Sequence, residues 1–207
     1  MKSLVAFVSI VSLAAIPPLQ RQAENPGEVL DRAIEDFLAG RVKESVVGFD
    51  RVALLATQAA PQLWQRGIAL YYVGRYDDCR KQFESHRTVN PNDVENPAWH
   101  FLCVAHAESP QKARAGLLPV GPDQRSPMRE VYEMFKGTMT PDAVLAAGRS
   151  GSGRFFAELY VGLYYEAIGN NAMALPHLKA AASDQFASAG GYMHRVAMLH
   201  PLLVGNR

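Results

Sequence analysis

Apolar residues in this chain recur three and four positions apart from about residue 28 onward, and almost no stretch shows the two-residue alternation of a half-buried strand. Helix-start signals punctuate that pattern. Ser109-Pro110, Ser126-Pro127 and Thr140-Pro141 each set a capping hydroxyl before a proline suited to the first helical position. Stop signals are equally plain at Gly40, Gly74, Gly148 and Gly169, each of which closes an amphipathic run. The pattern predicts an all-α chain of about ten short helices. Three stretches fall outside it. The polar segment Gln20–Gly27, with Pro26, predicts a linker, and PVGPD (119–123) and GRSGSGR (148–154) predict flexible connections.

Repetition sets the expected architecture. Gly40 and Gly74 lie 34 residues apart, as do Phe49 and Phe83. That is the period of a tetratricopeptide repeat (TPR), a helix–turn–helix unit that buries its apolar face by stacking on its neighbours. The segment beginning at Pro61 carries nearly the full pattern. Trp64 opens its first helix, Gly67 permits close approach, and Tyr71 and Tyr72 fill the wedge between the helices. Gly74 caps, Cys79 takes the small-residue slot, Phe83 plugs the core and Pro91 ends the second helix. A later unit repeats the pattern with Gly162, Tyr165, Gly169, Ala174, Leu178 and Ala181, and a worn first unit keeps Ala33, Gly40 and Phe49. Between them, residues 94–150 keep helices at 99–107, 110–118, 127–136 and 141–147 but lose the consensus. A last helix over 191–203 would cap the array. The expectation is a right-handed superhelix of stacked TPR units over 26–204, with irregular middle helices and a C-terminal cap.

The first residues change the picture of location. MKSLVAFVSIVSLAAI (1–16) places one cation, Lys2, before an apolar run too short for a bilayer span of ~20 residues. A charged start, a short apolar stretch and small residues near its end form a signal-peptide pattern over 1–23, with cleavage near Ala14/Ala15 or Ala23. No cysteine precedes Cys79, so the expectation is export without an N-terminal lipid, to the periplasm, the cell envelope or the medium. Composition adds exclusions. The 207 residues carry 21 Lys and Arg against 20 Asp and Glu, and removing Lys2 and Arg21 turns a net charge of +1 into −1. Such a balance gives no basic field for nucleic acid.

Candidate chemistry is sparse. The six histidines are His86, His100, His106, His177, His194 and His200. His100 and His106 are six apart, as are His194 and His200, whereas two ligands on one helix face need a spacing of three or four. GRSGSGR lacks the Lys-Ser/Thr of a phosphate loop and follows no strand, and no GxSxG elbow occurs. Asp77-Asp78 and Glu35-Asp36 read as solvated helix surface. The expectation is therefore no catalytic residue, no metal and no cofactor, with His100, His106 and Glu108 the only neighbourhood for an enzyme. Cys79 and Cys103 lie on helices that could be neighbours. An exported protein could bond them, while Cys79's slot equally suits a packed thiol, and spacing leaves the two open.

Binding is the remaining role. TPR arrays bind along the concave face lined by the first helix of each unit. Register places Leu30, Ile34 and Phe37, then Trp64, Ile68 and Tyr71, then Phe156, Tyr160 and Leu163 in that row. The Lys, Asn and Arg with which chaperone-binding TPRs clamp a carboxylate are missing from it. An apolar, aromatic row suits an amphipathic helix or an extended apolar segment of another protein. The alternative is that the chain's last helix or a second subunit covers it, because an open apolar strip of this size is a liability.

Five segments carry a specific likeness: RGIALYYVGR (66–75), NPNDVENPAWHFLCVA (90–105), MFKGTMTPDAVL (134–145), ELYVGLYYEAIGNNAMALPHLKAA (158–181) and YMHRVAML (192–199). In order and spacing, across roughly 28–203, the chain resembles the bacterial new-lipoprotein-I family of cell-envelope TPR proteins, irregular middle included. The resemblance implies a homodimeric, non-enzymatic adaptor that presents murein hydrolases to a processing protease. The lipid-anchor cysteine of that family is missing here. An enzyme with its site in 94–154, or a spacer within a larger envelope complex, is the alternative.

Overall fold

The computed structural model describes residues 23–205, so the predicted export signal over 1–16 and the predicted cleavage near Ala14/Ala15 lie outside the described residues. Within them run eleven α-helices and two short 3₁₀ helices, and no strand occurs among the described residues. The all-α expectation therefore holds. In chain order the α-helices are α1 (Pro26–Leu38), α2 (Val42–Leu55), α3 (Trp64–Tyr72), α4 (Tyr76–His86), α5 (Glu95–Ala107), α6 (Pro110–Ala115), α7 (Met128–Lys136), α8 (Pro141–Ala147), α9 (Gly151–Ala167), α10 (Asn171–Ala181) and α11 (Ala187–Val204).

Local chemistry explains the boundaries. Ser109 Oγ accepts from the Lys112 amide at 3.2 Å and Thr140 Oγ1 from the Ala143 amide at 3.3 Å, each with proline in the first turn. Ser126 makes no such cap: its hydroxyl donates to the Ala147 carbonyl at 3.3 Å, and α7 starts only at Met128. Pro26 belongs to no linker. It opens α1, whose Asn25 side chain accepts from the Gly27 amide at 2.9 Å, so the end of the predicted linker is a helix cap. Gly40, Gly74 and Gly169 take nearly the same left-handed φ of 79°, 76° and 81°, the helix-ending geometry that side chains disfavour. Gly67 and Gly162 allow the partner helix to close in, for a Cβ added there would meet Phe83 Cζ at 2.6 Å or Leu178 Cγ at 2.7 Å.

The helices pack as α1 on α2, α3 on α4 and α9 on α10, with α5 against α4 and α6. An open solenoid touches only sequence neighbours. Here α5 and α7 also pack on α9, and α11 reaches back to both α9 and α1. One core cluster consequently runs from Ala33 to Leu199, with Phe37, Phe49, Phe101 and Phe155 all fully buried. Each such burial stabilises the fold by about 1.5–3 kcal/mol.

Both predicted flexible connections are held. In PVGPD, the Gly121 amide donates to the Pro91 carbonyl at 2.8 Å and Asp123 accepts from the Val94 amide at 3.1 Å. Half of GRSGSGR forms the first turn of α9, which begins at Gly151. The predicted last helix is present and kinked: Gly191, at φ 52°, interrupts α11 where the sequence pattern starts it. The cysteines are bonded, Cys79 on α4 to Cys103 on α5, with Cα atoms 5.9 Å apart and both residues fully buried. No helix among the described residues is long and apolar enough to cross a membrane.

Candidate functional site

The nine residues of the predicted row do not form an open strip. Phe37, Ile68, Tyr71, Tyr160 and Leu163 are buried, and Leu30, Ile34, Trp64 and Phe156 are partly buried against the same core. The cover is α11. Tyr192 stacks on Phe37 with centroids 5.7 Å apart and meets Trp64 edge-on at 4.9 Å, while Arg195 donates to the Leu38 carbonyl at 2.8 Å. Phe156 and Tyr160 turn toward a different neighbour: Phe156 stacks on Tyr160 at 6.3 Å and carries the Arg125 guanidinium 5.6 Å above its ring. Burial of this row is the outcome expected for a continuous apolar strip whose own chain supplies a matching helix.

An apolar groove of about 800 Å³ lies instead along α10 and the end of α11. Leu175, Leu178 and Ala182 form one side, Pro201 and Val204 the other, and Lys179 stands in its lining. Leu175 is 65% exposed, on the side of α10 turned away from the buried Ala174, Leu178 and Ala181. Tyr76, His106, Glu166 and His200 complete the lining.

His106, Glu166 and His200 belong to a chain of hydrogen bonds. His200 Nε2 donates to Glu166 Oε2 at 2.6 Å, and the Tyr72 hydroxyl bonds His200 Nδ1 at 2.8 Å. The Tyr71 hydroxyl lies 3.0 Å from His106 Nε2 and 3.4 Å from Glu166 Oε1. Tyr72 and His200 are 128 residues apart, so the chain fastens α11 to α3 and α9 through buried polar groups. Tyr71, Tyr72 and His200 are buried, so their polar atoms would be left unsatisfied in another arrangement of these helices, whereas His106 is exposed.

His100, His106 and Glu108 do not converge. His100 is buried beside Glu84, 3.5 Å away, and burial holds its imidazole below the ordinary value of 6.5 against the pull of that carboxylate. His106 stacks on Tyr76 at 5.2 Å, and Glu108 pairs with Arg80 at 3.3 Å on the surface. The other histidines hold helices together: His86 donates to the Pro61 carbonyl at 2.8 Å, His194 to the Ser183 carbonyl at 3.0 Å, and His177 to Glu158 at 2.7 Å. No group of three or more His, Cys, Asp or Glu poised for a metal ion occurs among the described residues.

Sequence reasoning missed a second polar cluster around Arg125. Its guanidinium bonds Asp93 at 2.5 Å, Glu95 at 2.6 Å and Asp123 at 2.6 Å, and the Tyr160 hydroxyl donates to Glu95 at 2.5 Å. Burial and the neighbouring Asp93 push the Glu95 carboxyl up, whereas at Asp123 hydrogen bonds from Arg125 and the Val94 amide outweigh partial burial and hold it down. Thirty residues separate Glu95 from Arg125, so no short-range pattern announces the pair. Compared with protein-family models and with curated proteins, the sequence matches none.

Proposed function

We propose that this chain is a non-enzymatic, exported TPR-like adaptor that binds other proteins of the cell envelope. The stacked pairs α1–α2, α3–α4 and α9–α10, with their matched helix-ending glycines, support a TPR superhelix, and the export pattern of 1–23 supports the location. The observation that carries the binding role is the apolar groove along α10 and α11, in which Leu175 is exposed and Lys179 supplies a cation. Its occupant is an amphipathic segment of a partner protein, with apolar anchors for Leu175 and Val204 and an acidic group for Lys179. By the resemblance to the new-lipoprotein-I family, murein hydrolases and a processing protease are the first partners to try, and a homodimer the first assembly.

A photo-reactive residue at position 175, expressed in the native envelope, should cross-link a discrete protein. That protein, once purified, should bind the wild-type chain and lose at least tenfold in affinity against Leu175→Glu. Binding indifferent to Leu175→Glu would overturn the assignment of the groove. One observation favours a second role, an enzyme: the His106–Tyr71–Glu166–His200 chain borders the same groove. Turnover of a partner or envelope component that disappears with Glu166→Gln would establish it.

A further inference from the structure

The groove does not stop at the end of α11. Tyr76, which lines it together with Val204, also lines a second depression of about 440 Å³. The last turn of α11 borders both, with Val204 on the groove and Leu203 on the depression. The rest of the depression comes from two turns: Val73 and Gly74 between α3 and α4, and Gly40 and Val42 between α1 and α2. Val73 and Leu203 are both partly exposed, so the apolar surface that starts at Leu175 continues past Tyr76.

Charge marks the two ends of this path. Lys179 stands in the groove and Lys43 in the depression, both exposed, and neither forms an ion pair among the described residues. The groove's own acid, Glu166, is engaged by His200 at 2.6 Å. In the depression Glu44 stands beside Lys43, but α2 begins there with no side chain capping its first amides. The positive end of that 14-residue helix adds to the lysine and outweighs the single carboxylate. An acidic group is thus the complement at both ends, with apolar contacts between them.

We infer that the groove and the depression hold one segment of a partner protein: amphipathic, apolar where it meets Leu175, Val204, Val73 and Leu203, and acidic at each end, toward Lys179 and toward Lys43. Joining the two halves in one segment makes the second contact intramolecular, which raises affinity beyond that of either half. The inference rests on the reading of the groove as a protein-binding site and extends that site to the α1–α2 and α3–α4 turns.

Photo-reactive residues placed singly at 175 and at 43, in the native envelope, should cross-link the same protein, and mass spectrometry should map both cross-links to one continuous segment of it. A synthetic peptide of that segment is then the probe for calorimetry on the processed protein. Val73→Glu, which sets a charge into an apolar contact, should weaken the peptide by about tenfold or more. Lys43→Glu should weaken it by about two- to fivefold, the size of a rim ion pair, and less at high salt. Glutamine in place of the peptide's acid at that end should abolish the Lys43→Glu effect. Lys43 is exposed, so its substitution gives the answer if Val73→Glu does not fold. A peptide weakened by Leu175→Glu yet indifferent to both Val73→Glu and Lys43→Glu would overturn this inference and leave the groove reading standing. A cross-link from 43 to a different protein, or to none, would do the same. No cross-link from 175, or binding indifferent to Leu175→Glu, would remove the groove reading and this inference with it.

Discussion

Breaking the Cys79–Cys103 bond tests the packing of α4 on α5 and the proposed export to an oxidising compartment together. The bond closes a segment of 24 residues between two fully buried positions. Chain-entropy reasoning assigns a loop of that length a stabilisation of about 3.5 kcal/mol, gained by restricting the unfolded chain. For a domain of this size that corresponds to a fall in Tm of about 7–14 °C on its removal. The assay is urea unfolding of wild type and of the Cys79→Ala/Cys103→Ala variant, each with and without reductant. Wild type should drop toward the variant when reduced, and the variant should ignore reductant. The protein recovered from its native envelope should resist alkylation until it is unfolded and reduced. Wild-type unfolding that is the same with and without reductant, or thiols that alkylate in the unfolded chain before reduction, would refute the bond.

Three further outcomes follow from the packing. Gly67→Ala puts a methyl 2.6 Å from Phe83 Cζ, so the buried Phe83 ring must shift, and urea unfolding should register a loss of about 1–3 kcal/mol. Arg125→Met leaves Asp93, Glu95 and Asp123 facing one another. The expected loss is about 1–3 kcal/mol, held below the fully buried figure because Arg125 is 42% exposed, and it should shrink in a Glu95→Gln background. Burial lowers the His100 pKa from 6.5, so the unfolded chain takes up that proton more readily than the folded one. Its contribution is therefore complete above pH 6.5 and is lost as pH falls through the folded value. His100→Gln should flatten the stability–pH curve in that window, measured by urea midpoints.

What was legible in the sequence was local. Ser109 and Thr140 announce helix starts because a cap is a contact between residues three apart, and Gly40, Gly74 and Gly169 announce ends because left-handed backbone selects glycine. Periodicity also identifies Phe37, Trp64 and Tyr71 as one apolar row, but a face does not name its neighbour. Whether solvent, a partner or α11 covers that row depends on contacts such as Arg195 to Leu38, 157 residues apart. The same distance hides Tyr72 from His200, Glu95 from Arg125 and, at 24 residues, the geometry of the cysteine pair. Composition correctly marks PVGPD as non-helical, yet it says nothing of the Asp123 and Gly121 bonds that hold it. The groove went unseen because it arises where α10 and α11 come together, not within either one. Tyr71 also shows the hazard of testing the row directly: it is fully buried and bonded to His106, so Tyr71→Ala would disturb the core before it reported on binding.

The proposed recognition surface is the groove along α10 and α11, not the apolar row of α1 and α3 that packs into the core. Hydrogen exchange of the chain alone and in complex with its cross-linked partner measures this most directly. Protection gained over 171–181 and 195–205, with 26–38 and 64–72 unchanged, is the result expected. Protection gained over 26–38 and 64–72, with α11 exchanging faster as it lifts away, would contradict the account.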